Sequence, residues 1–297
     1  MFNKIRLSDY SPVTIYILST AASMVLIHDA EKNIPTFLLT FIAFSLCIFL
    51  FNLINIKRIV SAYAFFYNNK KAFFTTNTLT LIIWLGTFYG LKLIQPSIFI
   101  SVFMGSLPLF SIFIKKQAVK KNSVYTLASI TLILFVLSGY YAVKHPPYLE
   151  VFMGLFCTVL SAFVSSLYIC YTDKLQRQNQ VPWIDVVCTR FYFITIFSLV
   201  ICYFLPTQID LYHITIDKWY DFLFISLLST IFPVYSVQKA ISNLGAVKTS
   251  LLMALIPLCV YFMQGVYVGI NSIFEFIFII ILSILLIRLY YLLYAKN

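Results

Sequence analysis

The chain has 297 residues, 61% of them hydrophobic and 10% charged, with a mean hydropathy of +0.93 and a formal net charge of +11. A soluble domain carries roughly 25% charged residues, so this composition excludes a water-soluble fold and indicates a polytopic membrane protein. The six cysteines fall inside apolar segments with no CxxC or Cys/His cluster, so neither a disulfide framework nor a zinc site is indicated and no cofactor is expected.

Lys4 and Arg6 precede an apolar run from about Val13 to Ile27. No small-residue cleavage site closes it, so it reads as helix 1 rather than as a signal peptide. Helix 2 spans about Pro35 to Ile54, and a basic loop, IKRIVSAYAFFYNNKK, leads to helix 3, about Phe73 to Leu93. Helix 4 (Ser97 to Ile114) and helix 5 (Ser123 to Val143) follow, and HPPYLE breaks the chain at its middle. Helix 6 runs from Val151 to Tyr171 and helix 7 from Pro182 to Leu205. A polar stretch then precedes helix 8 (Asp221 to Val237), helix 9 (Val247 to Val266) and helix 10 (Ile273 to Leu293). The expected fold is therefore all-α, with ten transmembrane helices in one integral membrane domain. A first five-helix repeat occupies 1–147 and a second 148–297.

The lysines and arginines orient this chain. With the breaks numbered alternately, sixteen fall on one side, among them Lys57, Arg58, Lys115, Lys116, Arg177 and Lys239; only Lys32, Lys92, Lys144 and Lys218 fall on the other. That bias expects both termini in the cytoplasm, in a bacterial plasma membrane by preference because the loops are short. The excess positive charge is a topology signal, and no nucleic-acid partner is expected. The expected partners are the lipid bilayer and a small-molecule substrate; a homodimer stays open.

The chain carries traces of a duplication. The segment Leu227 to Pro257 is an apolar run, a polar break QKAISNLGAVK, and a second apolar run; Tyr89 to Pro108 repeats it weakly, with Pro108 and Pro257 offset by 149 residues. Leu18-Ser19…Ser23 recurs as Leu160-Ser161…Ser165, and Pro35 as Pro182. Five spans is an odd number, so the second half would enter the membrane from the opposite side. Inverted repeats of this kind occur in secondary transporters, with the substrate site between them.

The residues Leu228-Ser229-Thr230, Ala240, Leu244-Gly245-Ala246, Ser250-Leu251 and Pro257, echoed by Tyr89-Gly90-Leu91-Lys92, Pro96-Ser97 and Pro108-Leu109, resemble the ten-helix EamA-like branch of the drug/metabolite transporter superfamily. The resemblance implies two inverted five-helix repeats, alternating-access transport of a small metabolite, and a central cavity lined by helices 1, 3, 4, 6, 8 and 9 with helices 5 and 10 outside. The chain departs from the pattern of the family it resembles in three places. The glutamate that follows helices 4 and 9 in many of its members is missing, helix 1 has no tryptophan, and the arginine-aromatic pair common in helix 2 is absent there (Ile42-Ala43-Phe44) while Arg190-Phe191 stands at the matching depth of helix 7.

Arg190 is the one strong charge well inside a span, where a charge costs at least ~2.5–3.5 kcal/mol. Two readings stay open: it snorkels to headgroups or pairs with Asp185, or it serves the substrate or a gate. Lys248, opening helix 9, would either meet an anion at the helix N-terminus or sit as a topology-setting lysine at the membrane surface. With Thr249 it also resembles sugar-phosphate and nucleotide-sugar carriers. Trp84, Tyr89, Ser161, Ser165, Tyr168, Ser229, Tyr235, Tyr261 and Gln264 are the polar and aromatic candidates for a cavity lining, against the alternative of helix packing. No acid lies deep in a span, which disfavours a carboxylate proton relay and recognition of a cation by a buried carboxylate; an aromatic cage for a cation stays open, and a neutral, zwitterionic or anionic metabolite fits better. A polytopic membrane enzyme is disfavoured because no span carries the clustered His, Asp or Glu that such catalysis needs. The expected function is secondary transport, not enzymatic catalysis; the alternatives are a nucleotide-sugar or sugar-phosphate exchanger and a non-transporting membrane scaffold.

Overall fold

A computed structural model describes residues 10–31, 34–116, 120–204, 223–224, 226–267, 269 and 272–294, and among these every regular element is helical. The first part comprises α1 (Ser11–Ala30), α2 (Thr36–Ile54), α3 (Ile59–Asn68), α4 (Lys70–Leu93), α5 (Pro96–Ile114) and α6 (Lys121–Lys144). The second comprises α7 (Tyr148–Arg177), α8 (Trp183–Thr189), α9 (Tyr192–Phe204), α10 (Phe232–Leu244), α11 (Ala246–Leu252), α12 (Ile256–Tyr267) and α13 (Ile273–Tyr294). Prolines mark the starts. Pro12 and Pro96 occupy first-turn positions, and Pro35, Pro147 and Pro182 are the caps of α2, α7 and α8. A fixed φ and a missing N–H cost nothing there, because the first-turn N–H groups have no helical partner.

Eight stretches among the described residues are long and apolar enough to cross a membrane: α1, α2, α5, α6, α7, α8–α9 together, α11–α12 together, and α13. Helix α4 has 24 residues, but the run Thr75 to Thr80, with Asn77 in it, keeps its hydropathy lower. The outer surface is apolar, with Phe135, Phe152, Phe163 and Ile284 exposed, as a surface solvated by lipid requires.

Four details differ from the sequence reading. The expected basic loop after helix 2 contains α3, whose Ala62 and Phe66, one turn apart, are buried, Phe66 in one cluster with Val181 and Val186, while Val60 (80% exposed) and Tyr67 (75%) face outward. Its basic flanks disguise an amphipathic helix of the kind that lies in a membrane interface. Helix 7 is interrupted at Arg190 and Phe191, between α8 and α9. Helix 8 runs on to Leu244 and contains a π-helical turn at Leu227–Ile231, just before Pro233; its expected start at Asp221 lies outside the described residues. Proline cannot donate the bond that Ser229 O would receive in an α-helix, and here the chain is wound wider instead, with Phe232 N–H reaching Leu227 O. Helix 9 likewise contains a 3₁₀ turn, Met253–Leu255, ahead of Pro257.

The bundle is held at its middle by α4 and α7, which cross closely and join the first part of the chain to the second. Gly86 and Gly90, one turn apart, let α4 approach Ser161, Cys157 and Thr158 of α7, and Gly154 of α7 in turn admits Leu93 and Ile94. This small-xxx-small pattern suits a membrane, where association rests on close van der Waals packing rather than on hydrophobic driving force. Helix α5 packs on α7, α1 on α10, α2 on α9, and α6 and α13 pack on each other, with exposed apolar side chains on both.

Candidate functional site

The site begins at the break in helix 7. A helix interrupted inside a membrane leaves backbone groups that lipid cannot satisfy. Asn77 of α4 satisfies them. Its Oδ1 accepts from Tyr192 N–H (3.0 Å) and Phe193 N–H (3.3 Å), while its Nδ2 donates to Thr189 O (2.7 Å). One amide thus serves both sides of the interruption and fixes the residues between, Arg190 and Phe191.

Arg190 points inward and is 5% exposed, so it does not reach the headgroups. Asp185 does not pair with it either: that carboxylate accepts from Asn55 Nδ2 (2.9 Å) and lies 3.5 Å from Arg58 Nη2. The guanidinium of Arg190 instead rests on two rings, with Cζ 4.5 Å from the centroid of Tyr168 and 4.7 Å from that of Phe191. Its Nη1 donates to Tyr168 Oη (2.5 Å) and, at 3.5 Å, to Gln238 Oε1, which also accepts from Tyr168 Oη (3.1 Å). Nε has no partner among the described residues, and no ion pair to Arg190 is found among them. Behind it runs an aromatic column: Phe191 stacks on Phe44 (5.1 Å), which meets Trp84 edge-on (4.9 Å). Such stacking fixes the platform beneath the charge.

Arg190 borders a cavity of about 100 Å³, where roughly 10–15 Å³ on this measure holds one water. Tyr16, Ser23 and Met24 of α1, Trp84 and Thr87 of α4, and Phe99, Phe103 and Met104 of α5 line one side. The other side is Ser165 and Tyr168 of α7, Arg190, Ser229 in the π turn, Pro233 and Val237 of α10, and Met253. Both parts of the chain contribute, and the polar atoms are few and convergent in an apolar wall, which is the usual make-up of a small-molecule site.

Of the sequence candidates, Arg190, Trp84, Ser165, Tyr168 and Ser229 come together on this cavity. The other six lie elsewhere. Tyr89 is on the outer surface, edge-on to Phe37. Ser161 sits in the α4–α7 crossing, its Oγ donating to Ile83 O at 3.4 Å. Tyr235 packs edge-on against Trp183 with Lys239 over its ring. Lys248 is half-buried near the start of the seven-residue α11. Tyr261 donates to Ser272 O (3.2 Å) and stacks on Phe276. Gln264 is buried, and its Oε1 accepts from Ser97 N–H (2.9 Å) in the first turn of α5. Gln264 therefore caps a helix from across the bundle. Gln264→Leu is expected to cost about 1–2 kcal/mol, seen as a lower melting temperature, with ligand affinity unchanged in a binding assay.

Two groups escape the sequence reading. Asn77 is inconspicuous among the threonines of α4. Asp173 of α7 is buried, pairs with Lys115 at the end of α5, and accepts from Arg177 Nε (2.7 Å). Arg177 also donates to Ser242 O (3.2 Å) and Ile241 O (3.4 Å) at the end of α10, beside Gly245, which turns the chain at φ +86°. This network ties α5, α7 and α10 at the lysine- and arginine-rich end of the bundle.

Residues 152–295 match the family model of the EamA-like transporter family. No curated protein matches the sequence. Among solved structures, 24 chains match. One crystal structure is similar at a TM-score of 0.65 and 16% identity, covering 98% of this chain and 98% of that one, a likeness of fold.

Proposed function

Taking as premise that residues 152–295 of this integral membrane protein match the EamA-like transporter family, we propose that the chain is a secondary transporter that moves a small metabolite by alternating access. The cavity that both parts of the chain line carries this reading. In it, α4 and the π turn with α10 are spans as well, completing ten helices in two inverted repeats, 1–147 and 148–297. The basic end then faces the cytoplasm of a bacterial cell. There the Lys115–Asp173–Arg177 network joins α5 of the first repeat to α7 and α10 of the second, a placement suited to a gate that opens when the repeats rock. A membrane enzyme is the less supported alternative, because the family model that residues 152–295 match is one of transporters.

Uptake tests this. Proteoliposomes are incubated with a bacterial metabolite extract, washed, and their contents identified by mass spectrometry. At least one small metabolite is expected to accumulate with the wild type and not with Ser229→Trp, which fills the cavity. Identical contents in the two preparations would rule the reading out.

A further inference from the structure

We infer that the cavity takes a small monoanion, a carboxylate on a compact apolar body, with Arg190 as its counter-charge; this rests on the reading of the cavity as a transport site. The charge argues first. Arg190 is the one cation among the described lining residues, no acid lines the cavity, and no ion pair of Arg190 is found among the described residues. A buried charge without a counter-ion is costly to keep. A bound anion removes that cost, and a neutral ligand does not.

Hydrogen-bonding capacity argues second and independently. Three cavity-lining side chains carry a buried polar atom with no partner among the described residues: the Thr20 hydroxyl, which can donate or accept, and two nitrogens, Arg190 Nε and Trp84 Nε1. Both nitrogens donate only, so a partner for either must be an acceptor. A carboxylate is all acceptor and meets a guanidinium edge with two oxygens.

Charge count and size narrow the class. A sugar phosphate or nucleotide sugar brings about two negative charges to a site with one cation, and a cavity of about 100 Å³ is small for a nucleotide sugar. An amino acid's ammonium would add a second positive charge beside Arg190, with no carboxylate in the described lining to offset it. The walls around the charge, including Phe99, Phe103, Met104, Leu107 and Ile169, suit an aryl or branched aliphatic group.

A matched set of probes tests this on the purified full chain: phenylacetate, phenylacetamide, phenethylamine and inorganic phosphate, each read by thermal shift and by direct binding. Phenylacetate is expected to stabilise the wild type, and the isosteric amide, the amine and phosphate to bind at least about tenfold more weakly. Arg190→Gln is expected to lose the phenylacetate effect while its ligand-free melting temperature holds or rises, because a costly charge has gone; a purely structural arginine would instead lower it. Trp84→Phe keeps the ring against Phe44 and deletes only the N–H. It is expected to weaken phenylacetate several-fold, which keeps the test decisive if Arg190→Gln fails to fold. Amide or amine binding as tight as the carboxylate's, abolished by Ser229→Trp, would overturn the anion inference and leave the transport cavity standing. Phosphate binding more tightly than phenylacetate would overturn it in favour of phosphorylated substrates. Phenylacetate binding unchanged in Arg190→Gln, or absent from the wild type, would also overturn it, and the uptake assay separately decides whether the cavity transports at all.

Discussion

Asn77→Leu is expected to destabilise the protein by at least about 3 kcal/mol and to abolish ligand binding. The leucine is close in volume, so packing changes little. The loss comes from Thr189 O, Tyr192 N–H and Phe193 N–H, which Asn77 serves at 2.7, 3.0 and 3.3 Å. A buried backbone group left unpaired costs about 1–3 kcal/mol, and lipid offers no replacement. The helix would respond by closing its break, which rotates Arg190 away from the Tyr168 and Phe191 rings. Thr80 is the control, one turn along α4 and buried, with a hydroxyl that has no partner among the described residues. Thr80→Val should be neutral or mildly stabilising. Melting temperatures of the two variants in one detergent decide the matter, and equal values would show that the amide does not hold the break.

Gly86→Val is expected to be comparably damaging through sterics alone. A Cβ at Gly86 would stand 2.1 Å from Ser161 Oγ and 3.1 Å from the Cys157 carbonyl oxygen. The serine can rotate away, but the carbonyl belongs to the α7 backbone. The helices must therefore separate, at about 1–3 kcal/mol for overpacking, and the close packing around Gly90 and Gly154 opens with them. Ile83, Trp84 and Thr87, beside Gly86 on α4, line the cavity, so the damage reaches the site as well. Gly139→Ala, with nothing within 4 Å of its new Cβ, should instead stabilise by about 0.5–1 kcal/mol through helix propensity. Folded yield and melting temperature separate the two glycines.

The parts of the fold that are legible in the sequence are those written in composition and punctuation. Prolines announce the starts of α2, α5 and α8, Gly245 announces the turn between α10 and α11, and long apolar runs announce the spans. The break at Arg190 is not legible, because neither a glycine nor a proline marks it; a tertiary hydrogen-bond partner makes it tolerable. Helix α3 is hidden by its basic flanks. At the site, Arg190 stands out because a charge in an apolar run is rare; of Ser161, Ser165 and Tyr168, which share one helix face by their spacing, Ser165 and Tyr168 line the cavity while Ser161 packs against α4. Tyr261 and Gln264 look equally suitable, yet their polar atoms serve Ser272 and Ser97. A polar side chain in a membrane helix is needed either by a ligand or by another helix's backbone, and its own segment does not say which.

Alternating access through the shared cavity is tested most directly by thiol labelling of Ser229→Cys, in a background with the six native cysteines replaced. Ser229 lines the cavity from the π turn. The account predicts that membrane-impermeant reagents label this position from either side of the membrane, and that cross-linking α5 to α10 at the Lys115–Asp173–Arg177 end blocks labelling from that side only. Labelling from one side alone, unchanged by the cross-link, would contradict it.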